Sequence, residues 1–185
     1  MTDLSKYDNS WFNPGNPIKR FVWYYLNIVF FKNAWNPSSG LKVLLLRLFG
    51  AKVGKGVRIN PSVNIKYPWF LEIGDHTWIG ENVWIDNLAT VRIGSNCCLS
   101  QGAMLLTGNH NYKKSTFDLI VKPIVLEDGA WVGAKAVVCP GVTMKSHSVL
   151  SVASVATKDL AAYGVYQGNP ALKVKHRKIE SATDK

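Results

Sequence analysis

A six-residue beat runs from Val53 to about Leu160 and constrains this chain more than any other feature. Its openings are Val53, Ile59, Ile65, Ile73, Ile79, Ile85, Ile93, Leu99, Leu105, Leu126, Val132, Val138, Met144, Leu150 and Ala156; thirteen of these 15 are Ile, Leu or Val. The fifth place of each hexad is small in 12 of the 15, as at Val57, Thr77, Ala103, Ala136 and Ser148. Fifth place and next opener are two residues apart, so both point to one face of a short strand. Glycine often follows the opener (Gly54, Gly74, Gly80, Gly94, Gly133), where a turn needs positive φ or a close backbone approach. Strand plus tight turn at this period is the signature of a parallel β-helix of hexapeptides.

The breaks in the beat say how the hexads stack. Extra residues follow each of the first three triplets of hexads: Leu71 and Glu72, then Val91 and Arg92, then the long stretch 111–125. Three hexads therefore make one coil of a triangular prism, with insertions leaving from one edge. About five coils are expected, at a spacing of ~4.8 Å. The long insertion is the one large excursion, and such a loop on a regular scaffold usually carries function. Its Tyr112, Phe117, Leu119 and Ile120 are apolar for a free surface loop, which predicts closure over a substrate or a neighbouring subunit. The division expected is a lead and cap over 1–52, the β-helix over 53–161 and a tail over 162–185, loose from Ser181.

With 47% apolar and 18% charged residues the sequence is globular in character. No apolar run reaches the ~18 residues that a spanning helix needs, and the first residues lack the apolar core of a secretory leader. Cys97, Cys98 and Cys139 form no paired framework, so a reducing cytoplasm is expected. A net charge of +10 suits an anionic ligand or a membrane surface. No basic helix or aromatic ribbon accompanies it, so nucleic acid is not expected.

Ahead of the prism, 18–33 reads as an amphipathic helix rich in aromatics and 41–49 as a second one, capped by Ser38, Ser39 or Gly40 and stopped by Gly50. An open β-helix end exposes backbone and core, so these helices are expected to cap it. Lys19, Arg20, Lys32 and Arg47 also permit an interfacial anchor, a peripheral membrane contact.

His110 closes the ninth hexad where the long excursion departs, which makes it the candidate catalytic base. Imidazole can take a proton from a hydroxyl and later return it. His76 and His147 fall on turn positions of ordinary hexads and are expected to be exposed. No Ser-His-Asp or Cys-His order is evident, which favours direct transfer without an acyl-enzyme. Asp118 and Glu127 are the candidates for orienting the imidazole.

The ladder, the phrase Leu106-Thr107-Gly108-Asn109-His110 and the close Gly168-Asn169-Pro170-Ala171 resemble the hexapeptide-repeat acetyltransferases. Within them the chain is similar to the colanic-acid-biosynthesis acetyltransferases of the WcaF type, through its aromatic lead, Lys66-Tyr67-Pro68-Trp69 and Trp84-Ile85-Asp86-Asn87. The resemblance extends from about Trp11 to Arg177. It implies an all-β fold, a left-handed parallel β-helix. It also implies a homotrimer with acetyl-CoA as co-substrate in the cleft between neighbouring prisms, and a sugar or lipid-linked saccharide as acceptor. His110 takes the catalytic position; Asp86 and Asn87 fall at acceptor-binding positions. Trp131, Gly133, Ala134, Val152, Ala153, Thr157, Lys158 and Arg177 fall at coenzyme-binding positions. One coil departs from the family pattern: Ser151-Val152-Ala153-Ser154 stands where Gly-Ala-Gly-Ser is usual.

Two other classes compete. The γ-class carbonic anhydrases share the scaffold, but they need clustered histidines, and no second histidine lies within 30 residues of His110, so no metal is expected. A non-catalytic binding or scaffolding prism would explain the ladder but leave the excursion without a purpose.

Overall fold

The hexad openers point inward and, being the larger of the two inward places in each hexad, supply most of the side-chain volume of the prism. Of the fifteen, all but Val53 are buried. Fully burying each Ile or Leu contributes roughly 1.5–3 kcal/mol. The computed structural model describes residues 1–180; the segment from Ser181, expected to be loose, lies outside them.

Three parallel sheets wrap this core. The first face stacks Lys52–Val53, Leu71–Ile73, Val91–Ile93, Ile124–Leu126 and Thr143–Met144. The second stacks Arg58–Ile59, Trp78–Ile79, Cys98–Leu99, Trp131–Val132, Val149–Leu150 and Gly164–Gly168. The third stacks Asn64–Ile65, Trp84–Asp86, Met104–Leu106, Val137–Val138 and Val155–Ala156. Like residues face like along a column, as in Ile59, Ile79, Leu99, Val132 and Leu150. The coil count differs slightly from the expected five. After Ala156 a sixth, partial turn follows, bridged by Leu160 on Met144 and by Gly164–Gly168 on Val149–Leu150. The final strand Ala171–His176 then folds back antiparallel on Gly164–Gly168.

Two turn positions divide the work that the sequence assigned to glycine. Positive φ falls at the fourth place of the hexad, at Gly56, Ser62, His76, Asn82, Asn96, Gly102, Gly129, Lys135, Gly141, His147 and Ala153. The glycines in second place answer to crowding instead: a Cβ on Gly74 would lie 2.5 Å from Ser95 N, and one on Gly133 2.7 Å from Leu150 O. His76 is exposed as expected. His147 is not; it is half-buried, its ring stacked on Tyr163 at 4.9 Å, with Tyr163 in turn stacked on His176.

The N-terminal helices close the first coil. Helix α1 spans Pro17–Leu26, with Asn16 accepting from the Ile18 and Lys19 N–H groups at its start, and continues as a π-helical turn, Asn27–Phe31. Helix α2 spans Ser39–Leu48 and is capped by the Ser38 hydroxyl. Both supply donors to carbonyls that the first coil leaves unpaired. Trp23 Nε1 donates to Ile65 O at 2.9 Å, and the Arg47 guanidinium donates to Val53 O and Gly54 O. Lys42 is fully buried and donates to Asn36 O, Ile59 O and Asn60 O at 2.8, 3.3 and 3.0 Å. Burial pulls its ammonium below the usual lysine range, and the three carbonyls offset part of that cost.

Candidate active site

His110 does not sit ahead of a loop; it belongs to one arm of a hairpin. Gly108–His110 pairs antiparallel with Leu119–Val121, His110 opposite Leu119, so the excursion begins at Gly108 rather than Asn111. The hairpin leaves the corner between the third and first faces. Thr107 anchors it from inside the prism: its hydroxyl donates to Asp86 O at 2.9 Å and accepts from Ala89 N at 3.1 Å. A Cβ on Gly108 would lie 2.5 Å from the Leu88 Cδ1 methyl, so a larger residue there would make the Leu88 side chain shift.

The imidazole of His110 is half-buried and fixed on two sides. Its ring stacks on Phe117 at 4.4 Å and 8°, with Tyr7 at 5.7 Å. Nδ1 lies 2.9 Å from Phe117 O, and a carbonyl only accepts, so Nδ1 carries the proton. Nε2 is then the basic nitrogen. Phe117 reaches this pose with φ of +53°, a conformation that costs a bulky residue roughly 1–3 kcal/mol. Neither carboxylate expected to orient the ring does so. Asp118 is held below the usual carboxylate range by hydrogen bonds from the Lys114 ammonium and the Thr116 hydroxyl. Glu127 accepts from Ser146 N and Oγ.

Two clefts flank the prism. One, of about 600 Å³, lies between α1 and the lower coils; Arg20, Tyr24, Lys66, Tyr67, Trp84 and Asp86 are among its walls. Asp86 faces this cleft 2.9 Å from Lys66 Nζ, and one of its carboxylate oxygens lies 4.0 Å from the Cβ position of Gly108, at the hairpin base. Asn87 requires a correction. It is fully buried, its Nδ2 donating to Tyr67 O at 2.6 Å and its Oδ1 accepting from Tyr67 N at 3.0 Å. With its amide paired to the backbone and no surface exposed, it shapes the corner and does not line the cleft.

The second cleft, of about 750 Å³, opens on the second face, beside its corner with the third. It gathers Trp131, Gly133, Ala134, Val152 and Arg177 from the expected coenzyme positions, and adds Ser100, Gln101, Lys175 and Lys178. Trp131 Nε1 donates to Ser100 Oγ, and Arg177 Nη1 donates to Gly129 O and His147 O. The basic stretch near the C-terminus was the available signal for Lys175 and Lys178. Ala153 occupies the turn next to Val152, with φ of +53°. Thr157 and Lys158 are exposed and follow the last strand of the third face, so they belong to the His110 corner instead. Among the described residues no group of three His, Cys, Asp or Glu side chains gathers as a metal site, and no helix is long and apolar enough to cross a membrane. Burial pushes the Cys97 thiol up to about 11, so it is a core filler rather than a nucleophile.

No protein-family model matches the chain. It is 38% identical over 180 residues, 96% of its length and 98% of the relative's, to the colanic acid biosynthesis acetyltransferase WcaF of Escherichia coli. The galactoside O-acetyltransferase of Escherichia coli is 30% identical over 129 residues, 68% of this chain and 64% of that one. Among solved structures, a hexapeptide-repeat acetyltransferase of Vibrio cholerae complexed with acetyl-coenzyme A superposes with a TM-score of 0.78 at 25% identity, covering 88% of each chain. A galactoside acetyltransferase in complex with coenzyme A superposes with a TM-score of 0.76 at 25% identity, covering 86% of this chain and 81% of that one.

Proposed function

The chain belongs to the hexapeptide-repeat acetyltransferases, with the left-handed β-helix of that family, and from this premise we propose that it transfers an acetyl group from acetyl-CoA to a sugar hydroxyl. WcaF, with its colanic acid assignment, supports an exopolysaccharide or other surface glycan as the product. The observation that carries the reading is the Nδ1 contact of His110 with Phe117 O, which leaves Nε2 free to act as a base.

In this reading the acceptor lies in the cleft beside α1, where Tyr24, Tyr67 and Trp84 offer flat faces to a sugar ring and Asp86 a hydroxyl acceptor. His110 Nε2 removes the proton of the reacting hydroxyl as its oxygen attacks the thioester carbonyl. A backbone N–H holds the resulting oxyanion. Collapse breaks the carbon–sulfur bond, and the thiolate leaves with the proton returned by His110. General-base help is worth about 10²–10⁴ in rate, with positioning supplying the rest.

The donor fits the second cleft. Trp131 and Val152 present exposed apolar surface, and Arg177, Lys175 and Lys178 offer charge to phosphates. This cleft and the His110 corner stand on different edges of one prism, so a complete site needs the edge of a second copy. Three prisms around an axis satisfy that need three times over, which supports a homotrimer. Use of acetyl-CoA and three free thiols support a cytoplasmic location.

The experiment is a mass-spectrometric screen of sugars, nucleotide sugars and lipid-linked oligosaccharides with acetyl-CoA, run beside sedimentation of the same preparation. A gain of one acetyl group on a saccharide by an assembly of three chains is expected. Acetyl-CoA binding without transfer to any saccharide would overturn the enzymatic reading, and a fully active monomer would overturn the shared site.

A further inference from the structure

Helix α1 and its π-helical continuation are apolar on two faces, and the fold uses only one. Trp23 and Phe31 turn inward onto the first coil. Ile18, Phe21, Val22, Tyr25, Ile28 and Val29, spaced three and four apart, form a second stripe that points out. Ile18 is 74% exposed and Phe21 64%, and the stripe continues across a shallow groove to Leu48 of α2, at 68%. Isolated exposed apolar residues are ordinary, but a contiguous row of this length on a soluble surface marks a contact.

Charge says what the row contacts. Between Asp8 and Glu72 the sequence carries nine Lys or Arg and no carboxylate. Four of them are spent inside the molecule: Lys42 and Arg47 on backbone carbonyls, Lys52 on Glu72 and Lys66 on Asp86. Arg20 and Lys32 remain exposed on the helical segment itself, and Lys19 lies against Trp69 beside them. An apolar, aromatic row flanked by these cations, with the Asp86 carboxylate of the adjoining cleft already paired to Lys66, matches an anionic lipid surface, whose acyl boundary takes the row while its headgroups meet the cations. A second copy of this chain would bring the same uncompensated cations to the contact.

We propose that this outer face of the N-terminal cap docks the protein on an anionic phospholipid bilayer. Phe21, Tyr25 and Ile28 also line the cleft assigned above to the acceptor. Docking would therefore set the mouth of that cleft at the headgroup level, where a saccharide carried on a lipid is presented. The docking itself is independent of the acetyl-transfer reading, because lipid binding is measured without turnover.

Flotation of the full chain with vesicles of phosphatidylcholine alone, or of phosphatidylcholine mixed with phosphatidylglycerol, tests it. Binding is expected to the mixed vesicles only and to fall as salt is raised. The variant Ile18→Ser/Phe21→Ser/Tyr25→Ser should bind at least tenfold less. Arg20→Glu/Lys32→Glu should lose more than an order of magnitude in partition, at about fivefold for each cation removed. Light scattering without lipid, with circular dichroism to check folding, accompanies each variant. The proposal is overturned if the parent protein fails to float with anionic vesicles, or floats equally with neutral ones. It is equally overturned if a folded stripe variant binds like the parent, or if that variant changes the mass of the assembly, which would make the stripe a subunit contact. The salt dependence of the unmodified protein keeps the test decisive should a variant fail to fold.

Discussion

Two corners of the same prism are built in opposite ways. The corner between the second and third faces makes its groove out of the repeat itself: Ser100, Gly133 and Val152 come from successive coils, and translation of one turn along the axis yields a straight channel. The corner between the third and first faces acquires chemistry only by leaving the repeat. A coil step of 20 residues, from Ile79 to Leu99, becomes 33 from Leu99 to Val132, and the added chain is the hairpin that holds His110. A solenoid can build a place to lie for a long ligand by repetition alone. A single oriented proton acceptor needs a departure from it.

The largest expected effect separates the corners outright. His110→Ala should lower kcat by about 10²–10⁴ while leaving acetyl-CoA affinity, read by calorimetry, near the parent value. A comparable loss of donor affinity would mean that His110 holds the coenzyme as well as, or in place of, taking the proton. Next, Thr107→Val removes the hydroxyl that ties the hairpin to the corner and leaves Ala89 N without its acceptor, while Asp86 O keeps the Leu88 and Thr107 N–H groups. It should cost about 2 kcal/mol in denaturant unfolding and lower kcat along with stability. Trp131→Ala addresses the repeat-built corner: KM for acetyl-CoA should rise about tenfold with kcat little changed, as lost apolar contact implies. A fall in kcat alone would place Trp131 at the chemistry instead. Smallest is Ala153→Gly, which relieves a left-handed backbone at a residue with a Cβ and should raise the unfolding free energy by about 1 kcal/mol.

The sequence made one of these corners far more legible than the other. Inward residues must be apolar at a fixed period, so Ile59, Ile79 and their column announced the prism without any partner being known. The sixth partial turn was hidden because the beat fails after Ala156: Leu160 arrives four residues on, and Gly164–Gly168 joins the second face only through its register with Val149–Leu150. The hairpin start was hidden for a related reason, since Gly108 and Asn109 fit the end of a hexad as well as they fit a strand paired with Val121 and Ile120. The group that orients His110 left no trace at all. It is the carbonyl of Phe117, and every residue has one; only the fold decides which carbonyl points at a ring. Asn87 shows the converse case. A polar side chain at a site corner reads as a ligand contact until its amide is found closing on Tyr67 N and O.

Lys42 offers a way to watch the N-terminal cap. An amine-reactive reagent labels exposed lysines such as Lys32 on contact, but it reaches the Lys42 amine, enclosed by three carbonyls, only while the cap has lifted from the first coil. The ratio of its labelling rate to that of an open lysine is then a measure of how often the cap detaches, in the manner of hydrogen exchange but at a single side chain. Since the same two helices carry the outward stripe, repeating the measurement with anionic vesicles present turns one buried amine into a gauge of whether the bilayer fastens the lid it rests on.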